Sequence, residues 1–282
     1  MNPQAVVAGN GVVMRMVVDS NYLQSEELVV FLESSKNNIA VLTDYAAMEA
    51  YKGNSIESIT KSMEILCRYP DQVIVLKGTK KICGLTGRSK GLVGRLIDEK
   101  QTKEFGSFAK GIMATSKGSR QYYRTILSHG TEATKHIDKM QNEAVGIPEG
   151  VLMLEKCFTK DEKEILRKRV QMPDELKKKV VAHIFNISSN FFSHFPNHKQ
   201  SQKLEEVFNT YIFRYATAGY VLAIRWITMG GIGGVKPERL RNDVVDLSYV
   251  TYATFFDGIL TKDTRALDIY SDTKELLRQF GV

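Results

Sequence analysis

Two patterns of apolar spacing alternate over the first 75 or so residues. Residues 11–21, GVVMRMVVDSN, form a nearly unbroken apolar run, which predicts a buried strand ending near Asp19. Residues 25–36, SEELVVFLESSK, place Leu28, Val29, Phe31 and Leu32 at helical spacing between polar positions. NIAVLTD, at 38–44, reads as a second strand. Thr43 and Asp44 then stand where a helix cap belongs, before YAAMEAYKG, which stops at Gly53. SIESITKSMEILCRYP, at 55–70, predicts a helix ended by Pro70. QVIVLKG, at 72–78, fits either a strand or an apolar helical turn.

The texture changes from Lys77. KGTKKICGLTGRSKGLVGR is basic and rich in glycine, and GSRQYYRTILSHG is basic with paired tyrosines. TKDEKEILRKRVQ opens on a Thr159–Glu162 capping box, and PDELKKKVVAHIFNISSNFF opens on Pro173 at a helix N-terminus. One long apolar helix is predicted over 203–227, ending at GGIGG. A helix over 236–256, a short strand GILT at 258–261 and a last helix TKELLRQF at 273–280 follow. Strand–helix alternation at both ends predicts an α/β fold with a central parallel sheet and covering helices. Its core would be discontinuous, from 1–76 and 201–282, with 77–200 as a basic, mainly helical insertion.

Composition narrows the class. The chain has 282 residues, 43% of them apolar, which is ample for a core. The most apolar stretch, YATAGYVLAIRWITMGG, is broken by Arg225, so no membrane span is expected. The N-terminal segment has no basic region leading into an apolar core and cleavage site, so no signal peptide is expected either. Cys67, Cys83 and Cys157 are odd in number and far apart, which fits a reducing cytoplasm. The net charge of +7 is uneven: residues 77–136 hold 13 Lys/Arg against 4 Asp/Glu, and the rest of the chain holds 26 against 28. Such a block fits a polyanion partner or a solvated basic face. Lys77, Lys80, Lys81, Arg88, Arg120 and Arg124 are the candidate phosphate contacts, and Tyr122 or Tyr123 could stack a base.

The candidate chemistry lies in carboxylates. Ligands of open parallel sheets bind beyond the C-terminal ends of the strands. Asp19 ends the first predicted strand and Asp263 closely follows the last, so both fall on that edge. Glu49 lies inside the helix after the second strand, too deep to cap it. Asp243 and Asp246 are three apart near the start of one helix and share a face. Each has an ordinary reading as a cap, a turn or a surface residue. Together they make a cluster of like charges that a cation would hold ionised, and all-oxygen ligands select Mg²⁺ or Mn²⁺.

VVDSNYL, VLTDYAAMEA, RNDVVDLSYVTYA and DGILTKD, in that order, resemble the signature segments of PIN-domain nucleases. The resemblance covers roughly 15–75 and 237–275. It implies a three-layer α/β/α core and hydrolysis of a phosphodiester assisted by two metal ions, with RNA favoured over DNA as substrate. Asp19, Glu49, Asp246 and Asp263 match the family's metal ligands. Asp243 is a second or supporting acid, and Asn21, Asn242 and Thr261 are polar neighbours. The long middle segment departs from the family pattern. Two other function classes remain: an adaptor that binds nucleic acid without cutting it, and a toxin or defence effector held by a regulatory protein. Self-association is left open. An Arg124–His129 pair, a glycine-rich GLTGRSKG loop lacking the Gly-Lys-Ser/Thr ending, and His194 with His198 flanking Pro196 are weaker signals.

Overall fold

The computed structural model describes residues 12–52, 55–119, 122–143, 146–195, 203–233 and 235–282. In chain order the elements are β1 (Met14–Val18), α1 (Glu26–Ser34), β2 (Asn38–Leu42), α2 (Asp44–Tyr51), α3 (Ile56–Arg68), β3 (Val73–Val75), α4 (Thr79–Cys83), α5 (Leu92–Leu96), α6 (Glu99–Ser116) and α7 (Tyr123–Glu143). They continue with α8 (Ile147–Lys156), α9 (Lys160–Lys168), α10 (Asp174–Ser193), α11 (Leu204–Phe208), α12 (Tyr211–Thr228), α13 (Pro237–Ala253), β4 (Gly258–Leu260) and α14 (Thr264–Gln279). No described helix is long and apolar enough to cross a membrane. The chain forms two compact units. One comprises Met1–Thr79, Val93–Ile137 and Tyr252–Thr264; the other comprises Lys80–Leu92, Asp138–Thr251 and Arg265–Val282. Residues 77–200 thus contribute to both.

The first unit holds an all-parallel four-stranded sheet in the order β3-β2-β1-β4. β1 is central, which explains an apolar run interrupted only by Arg15: Val17 and Val18 are fully buried, and a strand covered on both faces has no polar side to alternate with. Register pairs Val17 with both Val41 and Ile259, so the strand ends are level. The ladder runs one residue further where Asp19 N–H donates to the Leu260 carbonyl and Leu76 N–H to that of Leu42, both at 3.0 Å. QVIVLKG resolves as strand β3, whose outer edge is covered. The Asp98 N–H donates to the Val75 carbonyl and the Thr102 hydroxyl accepts from Val75 N–H, so the start of α6 takes the hydrogen bonds a free edge would offer.

The second unit is helical. α10 and α12 share a core of Val180, Ile184, Phe213, Tyr220 and Ile224, and α9 opens on the expected capping box. The helix predicted over 203–227 is instead two. Thr210 breaks it, its side chain accepting from Phe213 N–H to cap α12, because a hydroxyl that can satisfy an orphan donor competes with helix continuation. α13 starts at Pro237, so Asp243 and Asp246 lie about two turns in, not at its start.

Candidate functional site

Because the four strands are parallel and level, every strand exit opens on one edge of the sheet, and the polar residues that follow the strands gather there. Asp19 follows β1. Thr43 and Asp44 follow β2. Thr261 and Asp263 follow β4. Glu49 is the sixth residue of α2, which springs from the end of β2.

Asp19 is 2% exposed, and its surroundings are polar on the side of the edge. The Thr261 hydroxyl donates to its Oδ2 at 2.5 Å. The same Thr261 oxygen accepts from the Asp263 N–H at 3.0 Å and from Asn21 Nδ2 at 3.3 Å, while Asn21 Oδ1 accepts from the Lys262 N–H at 3.0 Å. One threonine therefore joins three of the expected site residues, Asp19, Asn21 and Asp263. On the other side of Asp19, the Ser20 hydroxyl donates to Glu49 Oε2, with Asp19 Oδ1 3.4 Å away. A single hydroxyl thus stands between two carboxylates that lie 30 positions apart in the chain, giving its one proton to Glu49. Burial pushes the Asp19 carboxyl above its ordinary pKa. The Thr261 and backbone Asn21 hydrogen bonds oppose that push, and the Glu49 charge adds to it.

Asp44 takes a different part from the one its sequence position indicates. The cap of α2 is Thr43, whose hydroxyl accepts from Ala46 N–H at 3.1 Å. Only one residue can occupy the cap, and Asp44, the first residue of the helix, turns its carboxylate to Thr79. It accepts from Thr79 N–H at 2.6 Å and from the Thr79 hydroxyl at 2.9 Å. Burial raises the Asp44 pKa, and those two bonds offset part of the rise. Ser20, Thr79 and the role of Asp44 escaped the sequence reading. Two cap-type residues in a row, Thr43-Asp44, were the only sign, since one of them had to be spare.

The remaining acids belong to the second unit. Asp243 is 2% exposed and held by Arg265, whose two terminal nitrogens reach both carboxylate oxygens, one of them at 3.4 Å. Asp246 is half-buried, one turn further along α13. Asn242 is exposed and accepts from Arg241. Among the described residues no three His, Cys, Asp or Glu side chains converge closely enough to hold a metal ion. The Asp19–Glu49 pair suits a hard cation of smaller demand: Mg²⁺ commonly takes only one or two protein carboxylates, completing its shell with water and substrate oxygens. The donors are all oxygen, and the charge of the cation would offset the desolvation and mutual repulsion of the two acids.

The basic candidates divide between the units. Lys77 donates to the Arg95 carbonyl at 2.7 Å and serves the first unit internally. Arg124 and Tyr123, on α7 of that unit, are exposed. The ring of Tyr122 lies over Gly111 of α6, where an added Cβ would stand 3.3 Å from it, so one ring face is already covered. Lys80, Lys81 and Arg88 are exposed in the second unit. There the GLTGRSKG loop is seated by Gly87 against the Glu206 carbonyl, with no room for a Cβ. Arg120 lies outside the described residues, as do Pro196 and His198. Comparison with protein-family models, curated proteins and solved structures finds no match for this chain.

Proposed function

We propose that this protein is a metal-dependent phosphodiesterase with a PIN-like three-layer core, acting on nucleic acid, with RNA as the favoured substrate. The observation that carries the reading is the pair Asp19 and Glu49, meeting on either side of Ser20 at the strand-exit edge of an all-parallel sheet, with Asp263 tied to Asp19 through Thr261. A buried carboxylate costs stability unless something compensates for its charge. The bonds that offset the burial of Asp19 come from hydroxyl and amide donors, while the charge of Glu49 adds to the cost. A divalent cation fits that deficit.

Asp19 and Glu49 would hold Mg²⁺ or Mn²⁺, and Asp263 would complete the acidic edge. Bound there, the ion would lower the pKa of a water and stabilise charge on the phosphodiester oxygens. The chain's own residues prepare the site. Thr261 engages Asp19 Oδ2 and leaves Oδ1 on the side of Ser20 and Glu49. Asn21, by accepting from Lys262 N–H, holds the turn that presents Asp263. Asp246, with Asp243 behind it, enters this reading through the family resemblance alone. The exposed cations Lys80, Lys81, Arg88 and Arg124 would bind phosphates and Tyr123 would stack a base. The free cysteines, one of them exposed, accord with a cytoplasmic setting.

The test is cleavage of end-labelled single-stranded RNA and DNA in Mg²⁺ or Mn²⁺ by the wild-type protein and by Asp19→Asn. The wild type is expected to cut RNA and the variant to be inert but folded. Absence of cleavage by the wild type on either polymer, or full activity of the variant, overturns the reading. Cleavage of DNA alone would retain the chemistry and replace the substrate.

A further inference from the structure

Asp44 stands at the strand-exit edge, where its position in the chain points to a helix cap, yet both of its carboxylate oxygens are hydrogen-bonded. Thr43 caps α2, so Asp44 is not needed for that task. Its carboxylate instead reaches Thr79, 35 positions away, and both of its oxygens are engaged there. The Thr79 hydroxyl also lies 2.7 Å from the Tyr252 hydroxyl. An ionised carboxylate only accepts, so Thr79 must donate its single proton to Asp44 and take a hydrogen bond from Tyr252. The result is a chain with one direction, Tyr252 to Thr79 to Asp44. Its far end is anchored in the core, for Tyr252 is fully buried.

The end that matters for chemistry is α2. This helix has eight residues, too few to hold itself in place without outside bonds. Glu49 stands five residues beyond Asp44, roughly 7.5 Å along the axis at the usual helical rise. Whatever fixes the first turn of α2 therefore fixes where Glu49 meets Ser20 and Asp19. On the basis of the nuclease reading above, we infer that Asp44 is a positioning residue of the carboxylate site: through Thr79 and Tyr252 it sets the placement of Glu49, and with it the affinity for the metal ion.

The experiment measures Mn²⁺ binding by loss of the free-ion resonance, alongside the Mn²⁺ dependence of RNA cleavage. It compares wild type, Asp44→Ala, Asp44→Asn, Tyr252→Phe and a destabilised control, Ser55→Ala, which removes the cap of α3. Groups that orient metal ligands from behind commonly contribute about 10–100-fold to affinity, so Asp44→Ala should weaken Mn²⁺ binding by about that factor. Tyr252→Phe should shift binding the same way by less. Asp44→Asn, which can still accept from Thr79 N–H, should recover part of the loss. Ser55→Ala should lower the melting temperature and leave the Mn²⁺ dependence alone. Should Asp44→Ala fail to fold, Tyr252→Phe carries the test, since it removes one atom. Wild-type Mn²⁺ binding and cleavage in both Asp44→Ala and Tyr252→Phe would overturn the inference and leave the nuclease reading standing. A wild-type protein that neither binds Mn²⁺ nor cuts would overturn the nuclease reading itself.

Discussion

Replacing Thr261 with valine tests the centre of the carboxylate network with little change of shape. The side chain is 8% exposed and its hydroxyl meets Asp19, which is 2% exposed. Valine keeps the branching and deletes one donor and one acceptor. The donor serves an ionised carboxylate at 2.5 Å, a class of bond worth about 1.5–3 kcal/mol. The acceptor serves the half-buried Asp263 N–H, whose loss adds about 1 kcal/mol. The expected cost is about 2.5–4 kcal/mol at neutral pH, enough to lower the melting transition of the sheet-containing unit by roughly 10 °C. The pH dependence follows from the direction of the Thr261 contribution, which lowers the Asp19 pKa. In the variant the folded-state pKa stands higher still. The stability difference between the two proteins is therefore fully present above the variant's folded pKa. It shrinks as pH falls through that value and then through the wild type's, where Asp19 is protonated in both. Thermal melts in metal-free buffer between pH 7.5 and pH 4 measure this directly. Equal melting temperatures at pH 7.5, or a difference that grows toward acid, would refute the account.

Glu49→Gln should leave stability nearly unchanged, because Gln forms helix almost as well as Glu, while cleavage collapses for want of a charged ligand; melting curves and turnover measured together check it. Arg265→Leu removes the guanidinium from the buried Asp243 carboxylate and should cost about 2–4 kcal/mol, at the lower side for a buried pair because Arg265 is itself partly exposed. Adding Asp243→Asn should restore much of that loss in a double-mutant cycle, and strict additivity would show that the pair is not coupled. Neutralising Lys80, Lys81 and Arg88 should weaken RNA binding similarly across sequences and flatten the plot of log affinity against log salt by about 0.7 per lost phosphate contact; an unchanged slope would mark these residues as solvated surface.

Elements whose signals are local can be read from the order of residues alone. β1 and β2 were legible as largely apolar runs, α1 and α3 as helical spacing, and α9 as a capping box, because each depends on residues within a few positions of one another. The break at Thr210 was local too, but apolar periodicity on both sides masked a cap. The parallel sheet, and with it the edge shared by Asp19 and Asp263, followed from the alternation of strand and helix. The rest depends on contacts across long stretches of chain, which exist only once the chain has folded. Ser20 meets Glu49 because β1 pairs with β2, and Thr261 joins Asp19 to Asp263 only because β1 pairs with β4, which begins 240 positions after β1 ends. Asp44 looked like a cap because sequence shows the need for a cap but not which neighbour fills it. Its true partner, Thr79, becomes its neighbour only once the chain beyond β3 returns to the end of β2. Asp243 reads as one more acid of a cluster until the fold sets Arg265 against it, and a buried charge takes its character from the partner that tertiary packing supplies.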